Sequence, residues 1–363
     1  MHFTKTLIAA AAAMLAAPLA LAQVPAGYPA NYQQLVDGAK KEAKLVIYGA
    51  TDSKAAAPLI KDFNALYPGI SVEYNDMNST EVYNRFISES AAGGDTADVL
   101  WSSAMDLQMK LAAGGYAMPY KSVEASKIPG WAVWKDTAYG TTFEPAAFVY
   151  NKRLVTEAEV PHTHAEFASL ISKPKFQDKV TTYDIEKSGV GFMFMTQDEK
   201  DFPQFKQLEQ AFGAARVRVQ SSTGTMLERI SSGENLIGYN VLGSYALVRA
   251  KTDPSLGVVL PKDYTLIISR VHFINKSAKH PNAAKLWTDY LLSHRGQTVV
   301  ANGAKLYAIR ADVTGETTSS DLIKMVGEKN IKPLPVSPAV AEYLDPAIRM
   351  AFLKEWKATA GKK

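Results

Sequence analysis

Leu45-Val46-Ile47-Tyr48 is an apolar run without alternation, the pattern of a strand buried on both faces of a parallel sheet. Before it, the spacing predicts a helix over 32–44. Gly49-Ala50-Thr51-Asp52-Ser53 turns the chain. Leu59, Phe63 and Leu66 then share one helical face, and Tyr67-Pro68-Gly69 stops that helix. A proline is tolerated in a first helical turn, so Pro58 places the start near Lys54 or Ala55. Ile70, Val72 and Tyr74 alternate as the next strand. Strand, helix, strand is the repeat of an open α/β sheet. It recurs as a helix over 81–92, a Gly-Gly turn, a strand over 97–101, the Ser102-Ser103 turn and a helix ending at Gly114-Gly115. Residues 140–150 read as extended, 161–265 carry a second series of helices and strands, and 258–274 are extended again. Pro281 opens a helix with Ala284, Trp287, Tyr290 and Leu291 on one face, and the last fifty residues read as mostly helical.

The first residues have another texture. Lys5 precedes an uncharged Ala- and Leu-rich run from Leu7 to Leu21, and Ala20-Leu21-Ala22 supplies a small-x-small cleavage pattern. The reading is a Sec-type signal peptide over 1–22, with Gln23 as the first mature residue and the periplasm as destination. An uncleaved anchor is disfavoured, because the run is short for a bilayer span. There is no cysteine, so an exported chain must rest on a buried core rather than on disulfides. About 340 residues can supply one, and their number points to two domains. The formal charge of +4 falls to +3 once Lys5 is removed, 39 Lys and Arg against 36 Asp and Glu. So small and dispersed an excess does not point to nucleic acid.

The stretches KLVIYGA (44–50), FNALYPGISVEY (63–74), ADVLWSS (97–103), FVYNKRLV (148–155) and HPNAAKLWTDYLLSHRGQ (280–297) resemble, in order and spacing, the type II periplasmic solute-binding proteins of ABC importers, in the ferric-ion and phosphorylated-solute branch. The resemblance implies a non-enzymatic, cofactor-free protein with two α/β lobes around a ligand cleft, joined by crossing hinge strands. It implies hinge closure on a small molecule and delivery, as a monomer, to an inner-membrane permease. On that pattern the N-terminal lobe comprises 23–144 plus 268–310, the C-terminal lobe 145–267, and 311–363 are helices packed on the C-terminal lobe.

In open α/β sheets ligands sit beyond the carboxyl ends of strands, where helices begin. The candidate loops here are Thr51, Asp52 and Ser53, then Ser102 and Ser103, then Ser221, Ser222 and Thr223 before a helix expected near Thr225. Hydroxyls, backbone N–H groups and helix dipoles suit an anion or a polyhydroxylated solute. The same residue types also serve as plain helix caps. Thr142 and Glu144 lie in the first expected crossing, where an acid would favour an amine-bearing ligand. Arg270, in the second crossing, is placed to fork onto phosphate or carboxylate; Lys54 and Lys187 read as solvated cations.

The ferric branch usually carries adjacent tyrosines in the stretch matching 233–245. Here Tyr239 and Tyr245 stand apart, with Asn240 beside the first, and the first loop has no histidine. The two tyrosines either line the cleft or pack in the core. Ferric iron needs several hard anionic oxygens. A small organic anion, a sugar phosphate or phosphonate, therefore ranks ahead of ferric iron and of a polyamine. His162-Thr163-His164 reads as a solvated helix start rather than a metal site. No Gly-x-Ser-x-Gly elbow, cysteine nucleophile or Gly-Lys-Ser phosphate loop occurs, so a periplasmic hydrolase, distinguishable by turnover, is the alternative from another class.

Overall fold

A computed structural model describes residues 24, 25 and 27–361; the expected leader lies outside them. The chain builds two sheets. The first takes β1 (Lys44–Gly49), β2 (Ser71–Asp76), β3 (Val99–Ser102), β4 (Val133–Trp134) and β5 (Ala138–Gly140). The second takes β6 (Glu144–Asn151), β7 (Val180–Tyr183), β8 (Arg218–Gln220), β9 (Ile237–Leu242), β10 (Leu256–Val259) and β11 (Thr265–Ile268). The chain returns to the first sheet for β12 (Val271–Ile274) and ends in the second with β13 (Ile331–Pro333). The orders are β2-β1-β3-β12-β5-β4 and β13-β11-β6-β9-β7-β8, with β10 also paired to β6. As its unbroken apolar run predicts, β1 is flanked by parallel neighbours, β2 and β3. The alternating β2 is an edge strand and stays half exposed.

The helices of the N-terminal lobe are α1 (Tyr32–Glu42), α2 (Ser53–Leu66), α3 (Ser79–Ala91) and α4 (Met105–Leu111). The C-terminal lobe follows with α5 (His164–Ile171), α6 (Gly189–Asp201), α7 (Phe205–Ala214), α8 (Thr223–Ser232) and α9 (Gly243–Ala250). Then come α10 (Pro281–Leu292), α11 (His294–Val299), α12 (Ser319–Val326) and α13 (Pro346–Thr359). α3 and α8 begin two residues earlier than expected, at Ser79 and Thr223, and two other boundaries differ for a visible local reason. Ala43 takes a left-handed conformation (φ 53°) that ends α1 before Lys44. Asp52 is the cap residue of α2, so Pro58 sits in the second turn and leaves the Lys54 carbonyl without its helical donor.

Apolar faces do the work that disulfides do in many exported proteins. Phe63, Trp287 and Tyr290 cluster between α2 and α10, with ring centroids 5.1–5.6 Å apart. In the other lobe Phe352 and Trp356 of α13 pack on Phe192, Phe205 and Phe212 of α6 and α7. Each such buried side chain contributes about 1.5–3 kcal/mol.

The chain passes between sheets at 141–143 and again at 269–270, and the two passages are zipped together. The Thr141 amide and hydroxyl donate to the Arg270 carbonyl (3.1 and 2.8 Å). The Thr142 amide donates to Ser269 Oγ (3.1 Å), and the Arg270 amide to Thr142 Oγ1 (2.9 Å). A third segment joins them where the Phe143 amide donates to the Tyr307 carbonyl (2.8 Å). This belt fixes the base of a cleft between the lobes.

Candidate functional site

Several helix starts face that cleft. From the N-terminal lobe come the starts of α2 and α3, and from the other lobe the starts of α6, α8 and α9, all bordering a cavity of about 230 Å³. The two walls already touch at two points. The Asp52 amide donates to the Tyr245 phenol oxygen (3.4 Å), and the Val190 amide to Ser79 Oγ (3.3 Å). Gly189 permits the second contact, because a Cβ there would lie 2.6 Å from Leu107 Cδ1 and 3.2 Å from Ala104 Cβ.

The walls differ in chemistry. On the N-terminal side stand two carboxylates, Asp52 and Asp76. Asp76 caps α2 by accepting from the Ser53 amide (2.7 Å) and hydroxyl (3.0 Å). Shielding by the cleft walls pushes the Asp52 carboxyl up; Arg270 pulls it down by less, and Asp76 pushes it up again. The C-terminal wall presents hydroxyls and helix starts. Ser188 caps α6 through the Gly191 amide (3.2 Å), and Ser222 caps α8 through the Thr225 amide (3.2 Å). The Thr223 and Gly224 amides have no partner among the described residues. Tyr183 and Thr223 share a hydroxyl–hydroxyl hydrogen bond beside them. No lysine or arginine lines the cavity among the described residues.

Of the residues singled out from sequence, Asp52, Ser103, Ser221, Ser222, Thr223 and Tyr245 line the cavity. Thr51, Ser102, Thr142, Glu144 and Arg270 are buried behind it, and Ser53 is exposed at the start of α2, outside its lining. Ser102 Oγ accepts from the Ala104 amide (3.3 Å) at the start of α4. The expectation that Arg270 offers a free fork and Glu144 a free acid is corrected: they neutralise each other. Arg270 Nε and Nη2 donate to the two Glu144 oxygens (2.8 and 3.0 Å), with both side chains fully buried. Nη1 donates to the Ala50 carbonyl (3.1 Å) and to Thr51 Oγ1 (2.9 Å). Thr142 (2.7 Å) and Ser244 donate to Glu144 as well. Burial alone would drive the proton off Arg270. The facing charge of Glu144, with the Tyr245 phenol, more than offsets this and holds the guanidinium above its ordinary range. Tyr245 covers the pair, its ring centroid 5.3 Å from the guanidinium carbon.

Asn240 is corrected too. Its side chain turns into the C-terminal-lobe core and donates to Asp198 (2.6 Å), which also accepts from Tyr239 (2.9 Å) and Tyr264 (2.8 Å). Tyr239 is thus a core residue, its phenol held well above the ordinary range by burial and by Asp198. His164 is no solvated helix start. It is buried, lies 2.9 Å from the Asp263 carboxylate and stacks on Tyr264 at 4.0 Å. Lys187 is exposed and 3.5 Å from Asp184. The polar side chains of the cavity that were not singled out are Asp76, Asn78, Ser79, Tyr183 and Ser188.

A larger groove, about 1010 Å³, runs along the outer edge of β8 and the end of α13. Most of its cations are paired, Arg216 and Arg218 with Asp178 and Lys357 with Glu186. It is lined from one side of the cleft only, by residues around β7, β8 and α13, whereas polar groups of both lobes converge on the inter-lobe cleft, which is the candidate site.

Two lobes, crossing strands and a polar cleft at the carboxyl ends of both sheets define a bilobal solute-binding protein. The sequence profile of the bacterial extracellular solute-binding proteins matches residues 49–298, and the chain belongs to that non-enzymatic family. It is similar to the substrate-binding protein of an ABC transporter from Agrobacterium tumefaciens, with 39% identity and a TM-score of 0.82 over 87% of this chain and 94% of that one. AfuA from Actinobacillus pleuropneumoniae, with fructose-6-phosphate bound, shares 18% identity and a TM-score of 0.71 over 88% and 99% of the two chains. Iron-bound HitA from Pseudomonas aeruginosa shares 16% and 0.70 over 87% and 99%. At the two lower identities the likeness shows the fold alone. No curated protein matches the chain. The fold and family together make it a type II solute-binding protein of the ABC-importer kind.

Proposed function

We propose that this protein is the periplasmic component of an ABC importer, and that its lobes close on a small organic anion of the sugar-phosphate or phosphonate class. One observation carries the reading: the free Thr223 and Gly224 amides at the start of α8, ringed by the hydroxyls of Tyr183, Ser188, Ser222 and Thr223. Unpaired N–H groups at a helix start stabilise negative charge without a countercharge. The opposite wall limits which anions fit. A second negative charge about 5 Å from a carboxylate costs about 3 kcal/mol at an effective dielectric of about 20. The end of the solute facing Asp52 and Asp76 must therefore carry hydrogen-bond donors, hydroxyl or ammonium. The match in fold to a protein with fructose-6-phosphate bound is compatible with this, as the match to an iron-bound one is with the ferric alternative, for which the cleft offers Tyr245 and Tyr183, the latter already hydrogen-bonded to Thr223.

The test is a thermal-shift screen followed by calorimetry on the best hit. The panel holds inorganic phosphate, sugar phosphates, aminoalkylphosphonates, neutral sugars, polyamines and ferric salt with phosphate. A solute at a hundred times its Kd stabilises by about 2.7 kcal/mol. Phosphate- or phosphonate-bearing compounds with hydroxyl or amine groups should give the large shifts. Stabilisation only by amines or neutral sugars would sink the anion reading, and a strong visible band with ferric salt, lost in Tyr245→Phe, would replace it with iron.

A further inference from the structure

We propose that Asp106 is a proton-binding site in the seam between the lobes, and that protonating it favours closure of the cleft. The proposal rests on the reading above that the lobes close around a solute, but not on which solute it is. Asp106 is the second residue of α4, in the N-terminal lobe, and is 2% exposed. The other lobe covers it where Gly189 starts α6 against Leu107, and the C-terminal segment covers it where the Leu344 carbonyl accepts from Lys110 Nζ (3.5 Å). Between them remains a cavity of about 180 Å³, bordered by Asp106, Ser188, Leu344 and Arg349. Ser188 borders both this cavity and the solute cleft.

The Asp106 carboxylate accepts from the Leu107 amide (2.8 Å) and makes no ion pair among the described residues. The titratable groups around the cavity are Tyr83 from α3, Lys110 from α4, Glu186 from the turn before α6 and Arg349 from α13. Neither cation is bound to it. Lys110 reaches the Leu344 carbonyl and lies 5.9 Å from the Tyr83 ring centroid, while the Arg349 guanidinium lies 4.4 Å over Phe192. A carboxylate withdrawn from bulk water without a countercharge prefers to hold a proton. Burial pushes Asp106 up to about 7, against weaker downward pulls from the Leu107 amide, Arg349 and Lys110.

When the lobes part, residues 185–192 withdraw and water reaches the carboxyl. The closed form then binds the proton more tightly than the open one. Closure is favoured below about pH 7 and loses that advantage as the pH rises through it. For a closed-state value near 7 and an open-state value near the ordinary one, the closed-to-open ratio changes about tenfold between pH 8 and pH 6.

The experiment needs no solute. The chain has no cysteine, so Lys61→Cys on α2 and Glu228→Cys on α8, both exposed, accept one spin label per lobe. Inter-label distances are measured by pulsed electron–electron double resonance from pH 8.5 to 5.5. The short-distance population should rise about tenfold relative to the long one between pH 8 and pH 6, and Asp106→Asn should hold the acid-side ratio throughout. Distances that ignore pH, or follow it equally in Asp106→Asn, overturn the proposal. If the Asn variant does not fold, Asp106→Ser provides the same comparison. A failure here leaves the solute screen untouched, and a failed screen leaves this result standing.

Discussion

Removing the Arg270 guanidinium should damage the fold more directly than the ligand site. With charge centres about 4 Å apart and an effective dielectric of about 20, the attraction between Arg270 and Glu144 is about 4 kcal/mol. Arg270→Ala would leave Glu144 fully buried with only the Thr142 and Ser244 hydroxyls for partners. Breaking buried pairs in this way costs about 3–5 kcal/mol, consistent with the Coulomb figure. Unfolding entropy of about 2.1 cal/mol/K per residue over about 340 residues gives about 0.7 kcal/mol/K, so Tm should fall by about 4–7 °C. Glu144→Gln with Arg270→Met leaves no unpaired charge and should lie closer to wild type. Differential scanning calorimetry of solute-free protein checks both. If Arg270→Ala melts within 1 °C of wild type yet binds its solute tenfold more weakly, the guanidinium faces the ligand and this account of the hinge is wrong.

Three further outcomes are expected. Intact mass of the periplasmic protein should begin at Gln23, and recovery of the full chain from membranes would contradict the leader reading. Asn240→Ala removes a 2.6 Å bond to Asp198 and places alanine at φ 54°; it should lower stability by about 2–3 kcal/mol and leave solute affinity unchanged, whereas a tenfold affinity loss would return Asn240 to the cleft. Asp106 sits at about 7 in the closed form against an ordinary value of 3.8, so in protein held closed by saturating solute its neutral-form stability is complete below pH 3.8 and lost as the pH rises to 7; there Asp106→Asn should gain about 2–3 kcal/mol more at pH 8 than at pH 5 in urea unfolding, and an equal effect at both would show a solvated carboxyl.

What could be read from the sequence was what depends on neighbours in the chain. The apolar run of β1, the one-sided face of α2 and the hydroxyl-rich Ser221–Thr223 are local patterns, and the structure has each where the pattern lies. Two further signals are equally local. The rule that ligands gather at carboxyl ends of strands holds for β2 as it does for β1, β3 and β8, and β2 ends at Asp76 with Asn78 and Ser79 behind it. In the loop before α6 the charge of Lys187 drew attention, although Ser188 before Gly-Val-Gly is the plainer sign of a helix start.

The fate of a charge at the hinge is a different kind of fact. Arg270 and Glu144 are 126 residues apart, and His164 and Asp263 are 99 apart. A lone arginine in an extended segment looks the same whether it faces a ligand or another residue. The difference lies in the pairing of Ile268 with Glu144, which sets the carboxylate two residues from Arg270 across the two passages. Once that register is formed, an unpaired cation beside an unpaired anion in a dry belt is the costlier arrangement by several kcal/mol. The pair therefore closes on itself, and on the proposed reading an anion is met instead by the uncharged helix starts of the C-terminal wall.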